Sequence, residues 1–284
     1  WGCWRSSEHR GRRPHRLIMK LLGVSFADAE AIVGTESVTV DALRSVIAGL
    51  NNERGTPPVE ERSTRVLTMP PSFKPILAAD RLSSPYINYL MRRGFGGLDA
   101  DKVAAKYGLR RCIAGAWGWR IIIPVIVAGR LVSWTARAIT PNADLRYVSL
   151  STKHGDVRAL VNLKETVLWL DELRNGGRLL IVTEGPFDAI KVDYYASSPD
   201  VRATCIFGVG ITDAQRHLIS ELSRKFQRIV VLFDSNTLGS AVSLQGAVMS
   251  NNVRIATLPA SVADPGDLTA TQVRQFVKTE LSNS

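Results

Sequence analysis

In the last third of the chain, short apolar runs alternate with polar turns, and acidic residues stand where the runs end. Arg178-Leu-Leu-Ile-Val-Thr183 leads into Glu184-Gly185-Pro186-Phe187-Asp188. Arg228-Ile-Val-Val-Leu-Phe233 leads into Asp234-Ser235-Asn236, with Gly239 closing the turn, and residues 253–258 precede Asp264-Pro265-Gly266-Asp267. The three runs read as strands of an open α/β sheet, whose carboxyl ends would bring the acidic turns to one crevice. Upstream, residues 120–137 read as a β-hairpin turning at Ala128-Gly129, and residues 84–95 as a helix closed by Gly94 as its C′ residue. Thr212 and Gln215 have the spacing of a capping box for the helix after them. Near the start, residues 17–22, 26–33 and 40–50 predict three helices, with a turn at Gly23. The polar, Pro-containing stretch 51–64 predicts a linker.

Length and composition suggest two compact units plus a small N-terminal piece. The chain has 284 residues, and a hydrophobic content of 45% is ample for real cores. No apolar run approaches the ~20 residues of a membrane span, and no signal-peptide pattern occurs. Cys3, Cys112 and Cys205 are too scattered for a disulfide framework and fit a reducing, cytoplasmic compartment. A nucleotide-binding Gly-x-x-x-x-Gly-Lys-Ser/Thr loop is absent, which sets aside a helicase motor on this chain. Net charge is +10, concentrated in residues 71–180, where 17 Lys/Arg face 8 Asp/Glu; residues 181–284 hold 9 against 10. A basic middle segment beside an acidic crevice is the layout of a surface that grips a polyanion next to one that binds metal. A solvated basic face would have the same composition.

Hard oxygen donors gathered in one crevice are what Mg²⁺ or Mn²⁺ requires. Asp and Asn also follow strands simply to cap the next helix, so any one turn could be only structural. Three acidic turns in order are harder to explain that way. Glu184 is the sharpest case, because Glu is a poor N-cap.

The Glu-Gly-x-x-Asp turn at 184–188, the Asp-x-Asn-x-x-Gly turn at 234–239 and the Asp-Pro-x-Asp turn at 264–267 resemble the Toprim domain. That domain is shared by bacterial-type primases, type IA and type II topoisomerases and some nucleases. Gly208-Val-Gly210-Ile-Thr212 resembles the Gly-rich turn of primases. Tyr89-Leu90-Met-Arg92-Arg93-Gly94 is similar to the start of a primase core, as is the apolar strand ending at Pro124 with its partner ending at Arg137. Arg146-Tyr147 falls where that family has a basic-aromatic pair. The resemblance implies an α/β fold, α+β overall, with a Rossmann-like parallel sheet. Its expected divisions are a zinc-ribbon remnant plus helices over 1–55, a linker over 56–69, a basic mixed α+β subdomain over 70–178 and a Toprim domain over 179–284.

In that reading Glu184, Asp234 and Asp264 are catalytic, and with Asn236 and Asp267 they form the set of metal ligands. Asp264 is favoured over Asp267, and Glu184 has general-base duty as an alternative role. Gly185, Asp188 and Gly239 support the turns, Asp188 by orienting the Glu184 turn. Arg92, Arg93, Arg120, Arg137 and Arg146 are candidates for phosphate contacts, since a guanidinium can hold two phosphate oxygens at once. Tyr147 is a candidate for base stacking, whereas Trp117, Trp119 and Trp134 are expected in the core. The family usually has Asp where this chain has Asn236, a neutral ligand that lowers metal affinity. Trp1 in place of Met suggests a fragment or a processed chain. Cys3 and His9 resemble half of a zinc ribbon, so Zn²⁺ is expected only if the other two ligands lie upstream.

The implied activity is DNA primase: metal-dependent synthesis of short RNA primers from ribonucleotides on a single-stranded DNA template, with the replicative helicase a separate chain. A Toprim nuclease, or a DNA-binding replisome module with a decayed centre, are the alternatives, and Asn236 keeps the latter open.

Overall fold

The computed structural model describes residues 66–234, 237–248, 252–259 and 262–282, together with residues 19 and 25–27. The expected linker up to residue 65, Cys3, His9, Asn236 and nearly all of the three N-terminal helices lie outside the described residues. The chain divides into two compact units, 1–65 and 66–284, and the second carries both sheets.

The antiparallel half opens with β1 (Lys74–Pro75), α1 (Ser84–Arg92), α2 (Leu98–Lys106) and β2 (Arg110–Cys112), followed by β3 (Arg120–Val127), β4 (Arg130–Ala138) and β5 (Tyr147–Ser149). Its strand order is β1-β2-β3-β4-β5, every neighbour antiparallel. The hairpin turns where expected. Ala128 and Gly129 both have positive φ, 52° and 69°, the backbone of the two-residue turns that match strand twist. Left-handed backbone is costly for Ala, and Asp171 helps to hold it: its two carboxylate oxygens accept from the Ala128 and Gly129 N–H groups at 2.8 and 2.9 Å. Pro124 cannot donate to a ladder, and it sits beyond the three residues of β3 that β2 covers.

The parallel half follows as α3 (Leu170–Leu173), β6 (Gly177–Thr183), α4 (Pro186–Ala196), β7 (Val201–Cys205), α5 (Asp213–Leu222), β8 (Phe226–Val231), α6 (Leu238–Ala247), β9 (Val253–Ile255) and α7 (Ala270–Ser282). The order is β7-β6-β8-β9, all parallel. The chain goes from β6 to one side and then returns past it to β8, so a topological switch point opens at the carboxyl ends of β6 and β8. The three expected strands are β6, β8 and β9; β8 and β9 end earlier, leaving 232–234 and 256–259 as the crevice wall. Thr212 and Gln215 do form a capping box on α5. Gly239 lies inside the first turn of α6 instead of closing the preceding loop. Among the tryptophans, Trp134 is buried and Trp117 packs edge-on against it, but Trp119 is 49% exposed and does not belong to the core. No helix among the described residues is long and apolar enough to cross a membrane.

One core joins the two halves: Leu90, Val103, Ile121 and Ile123 pack in the same cluster as Leu179, Ile181 and Phe187. A buried carboxylate ties the same seam. Asp193 of α4 accepts from Tyr107 Oη at 2.7 Å and Lys106 Nζ at 3.0 Å on the α2 side. On the β7 side it takes Arg202 Nε at 3.0 Å and the Ala203 N–H at 3.2 Å. Burial alone would raise its pKa, but Arg202, Lys106 and the Tyr107 hydroxyl outweigh it and hold the carboxyl below the ordinary 3.8. A depressed carboxyl adds stability that is present above its unfolded pKa and is lost as pH falls through the folded one. Asp193→Asn should therefore cost ~2–4 kcal/mol at pH 7. The gap in urea midpoint between variant and wild type should hold down to about pH 5 and close at lower pH.

Candidate metal centre and flanking basic cleft

The acidic turns meet at the switch point, but with unequal roles. Glu184, directly after β6, is 6% exposed. Its Oε1 accepts from the Asp234 N–H at 3.2 Å and from the Thr237 hydroxyl. It therefore straps the turn after β8 to the end of β6. Its backbone carbonyl accepts the Gly208 N–H at 2.8 Å, bringing the glycine turn alongside. That turn is held from beneath by Lys164, whose ammonium donates to the carbonyls of Ile206, Gly208, Val209 and Gly210 at 2.9–3.4 Å.

Asp188, Asp234 and Asp264 bring one carboxylate oxygen each within 4.8 Å of one another. Asp188 sits at the third position of α4, where its Oδ2 accepts the Gly185 N–H at 3.1 Å. It thus orients the Glu184 turn and stands in the cluster as well. Asp264 caps the short helical turn Pro265–Asp267, its Oδ1 taking the Gly266 N–H at 2.6 Å. Asp267, more exposed, faces Arg93: the Nη1–Oδ1 distance is 3.5 Å, and Arg93 Nη2 lies 3.7 Å from Asp188 Oδ1. Arg93 is therefore turned toward the acids.

Such crowding is costly while the carboxylates are all charged. Burial, followed by Asp264 beside it, pushes Asp188 well above the carboxylate range against the pull of Arg93. Burial, then Asp264 and Glu184, raise Asp234 to about 6. Asp234 Oδ1 is buried without a hydrogen-bond partner. Three close carboxylates and one orphaned oxygen fit a hard divalent cation, which supplies the missing partner and the missing charge.

Beside this centre lies a cleft of about 820 Å³ lined by Tyr89, Arg92, Arg137, Thr140, Asp144 and Arg146 among others. Of the arginines expected on phosphates, the structure brings Arg92, Arg137 and Arg146 here. Arg137 donates from Nε to the Tyr89 hydroxyl at 2.8 Å and lies 4.8 Å from the Tyr147 ring centre. One aromatic face of Tyr147 is thus covered by Arg137. Arg120 is outside this group; its Nη1 donates to the Leu145 carbonyl at 3.0 Å and so fixes the loop that presents Arg146. The field of Arg146 reaches Asp234 and pulls its pKa downward against the burial that raises it.

Sequence reasoning missed the cluster membership of Asp188, the brace from Thr237 and the anchor Lys164. Asp188 had a signal, the i, i+4 spacing from Glu184 across a helix start. Thr237 and Lys164 had none, because their partners are 53 residues away or backbone carbonyls.

No protein-family model matches the chain, and no curated protein sequence matches it. Solved structures do. A DnaG primase catalytic domain bound to single-stranded DNA aligns with a TM-score of 0.55 at 15% identity, covering 72% of this chain and 75% of that one. The zinc-binding and RNA polymerase domains of Aquifex aeolicus primase give 0.55 at 16%, covering 95% and 70%. The primase fragment of the bacteriophage T7 primase-helicase protein gives 0.50 at 16%, covering 80% and 86%. The chain has the fold of bacterial and phage primase catalytic domains.

Gly266 is the tightest point of the centre. A Cβ there would lie 2.6 Å from Asp188 Oδ1, 2.8 Å from Asp264 Oδ1 and against Arg93 Nη2. Gly266→Ala should spread the carboxylates and weaken Mn²⁺ binding ~10-fold or more, measured by calorimetry, with secondary structure unchanged by circular dichroism.

Proposed function

We propose that the chain is the catalytic core of a DNA primase, a nucleotidyltransferase that joins ribonucleotides into short primers on a single-stranded DNA template with Mg²⁺ or Mn²⁺. The observation that carries this reading is the juxtaposition of the Asp188–Asp234–Asp264 cluster with the cleft of Arg92, Arg137 and Arg146. The parallel half, 179–284, is the Toprim domain in this reading, and 70–178 is the basic subdomain that holds the template. The primase fold adds support, as does the DNA in one of the similar structures.

Primer extension is attack of a 3′-hydroxyl on the α-phosphorus of a nucleoside triphosphate, with pyrophosphate leaving. Negative charge spreads over oxygens around phosphorus, so the protein's work is positioning and neutralisation. Asp188, Asp234 and Asp264 would hold a divalent cation, which when bound offsets that charge and eases ionisation of the hydroxyl. Glu184 keeps Asp234 facing Asp264 through the Asp234 N–H and Thr237, so it acts by holding the turn. Arg137, fixed by Tyr89 and Tyr147, presents its guanidinium to phosphate at low cost in side-chain order. Arg92 and Arg146 complete a sequence-independent grip on the backbone. A separate replicative helicase is a further expected partner.

Labelled ribonucleotide incorporation on single-stranded DNA tests the reading. Wild type should give short RNA products, and Asp234→Ala should lower the rate by more than ~100-fold while leaving DNA binding nearly intact. Retained synthesis would remove Asp234 from the centre. Template cleavage in place of synthesis would make the chain a nuclease.

The arginine cleft has its own readout. Arg137→Ala should weaken binding of a single-stranded oligonucleotide and reduce the slope of log K against log salt by ~0.7. An unchanged slope would make Arg137 a structural residue.

A further inference from the structure

Among the described residues Trp119 is the largest aromatic side chain that the fold leaves uncovered, and the backbone there is left-handed, with φ 56°. A bulky residue rarely adopts that conformation, because Cβ crowds the chain. The conformation is fixed from both sides: the Trp119 N–H donates to the Cys112 carbonyl at 2.7 Å, and its carbonyl accepts the Ile139 N–H at 3.0 Å. Its indole lies parallel to the ring of Tyr86, 6° between planes and 6.4 Å between centres. Tyr86 is fully buried, and its hydroxyl is anchored on the Cys112 carbonyl. A rigid aromatic pair therefore stands with one member locked in the core and the other 49% exposed.

The Trp119 backbone adjoins the basic cleft through neighbours that line it, while the indole itself is outside the lining. Ile139, bonded to Trp119, lines that cleft, as does Ala138, the strand partner of Arg120. Arg120 in turn ties the loop at Leu145, next to Arg146. A strand whose phosphates lie along Arg137 and Arg146 would have its bases in reach of the cleft edge. An exposed ring beside a cationic track is the arrangement by which proteins hold single strands without reading sequence.

We propose that Trp119 is a stacking platform for one base of a single-stranded nucleic acid bound along the arginine cleft. The inference rests on the primase reading, and it adds a non-electrostatic contact where that reading has only charge. Stacking depends on a π-face in the ligand and is insensitive to salt, whereas phosphate contacts are the reverse.

The experiment measures anisotropy of labelled oligo-dT, and of the same length of abasic strand, over a range of salt. Wild type should bind oligo-dT more tightly than the abasic strand. Trp119→Ala should lose about 5- to 100-fold on oligo-dT, lose little on the abasic strand and keep the wild-type salt slope. Trp119→Phe should retain most of the preference, and Trp119→Leu, which keeps apolar bulk, should lose it; this pair decides the matter if the Ala variant does not fold. Wild-type binding with no base preference, or a preference that survives in Trp119→Leu, would overturn the platform while leaving the arginine cleft standing. Absence of wild-type binding to either strand would overturn the primase reading and the platform with it.

Discussion

Three carboxylates held within 4.8 Å repel one another, and the neighbouring structure is arranged around that repulsion. The parallel half brings the carboxylates together and offers Lys191 of α4, whose ammonium feels Asp267 and Asp264. The guanidinium that faces the acids comes from the other half of the molecule. Arg93 follows directly after α1 and reaches Asp188 and Asp267. For it to do so, α1 must dock on α4. It docks through Tyr89 edge-on against Phe187 and through Phe95 stacked on Tyr195. Lys191 adds a buried ammonium bonded to the Arg93 carbonyl and seated over the Phe95 ring. Aromatic contacts of this kind contribute ~0.5–1.5 kcal/mol each beyond the area they bury. The docking thus holds a cation beside the acids, where its charge opposes the burial that raises Asp188.

The same docking puts two neighbouring arginines to different uses. Arg92 lines the cleft, and Arg93, one residue on, faces the acids. The end of α1 lies between the two surfaces, so adjacent side chains diverge to opposite sides. Arg146 adds to this layout from the far wall, with its field acting on Asp234. Cleft and centre are therefore parts of one electrostatic arrangement.

The elements that set this arrangement were legible to different degrees. β6, β8 and the β3–β4 hairpin announced themselves as apolar runs with turn residues between them, because their signals are local. β7 did not: Arg202 and Thr204 interrupt its apolar pattern, yet Arg202 is needed on Asp193 and Thr204 bonds the Leu168 carbonyl. Of the acids, Glu184, Asp234 and Asp264 could be picked out because each follows an apolar run. Which carboxylates converge depends on long-range geometry, and so Asp188 was read as support alone. Arg93 and Arg92 have the same local signal, and only helix docking separates them. Trp119 was misread because aromatic residues beside strands are usually buried; its left-handed backbone turns it outward.

Asp193 has a consequence for how this protein can change over evolutionary time. One carboxylate serves as acceptor for α2 and for β7, elements from the two halves that lie almost a hundred residues apart in the chain. A half exchanged for one that lacks the matching Lys106–Tyr107 pair or the acceptor would leave buried polar groups stranded. Recombination at the junction between the sheets should therefore be poorly tolerated, and the basic and acidic halves are expected to be inherited together.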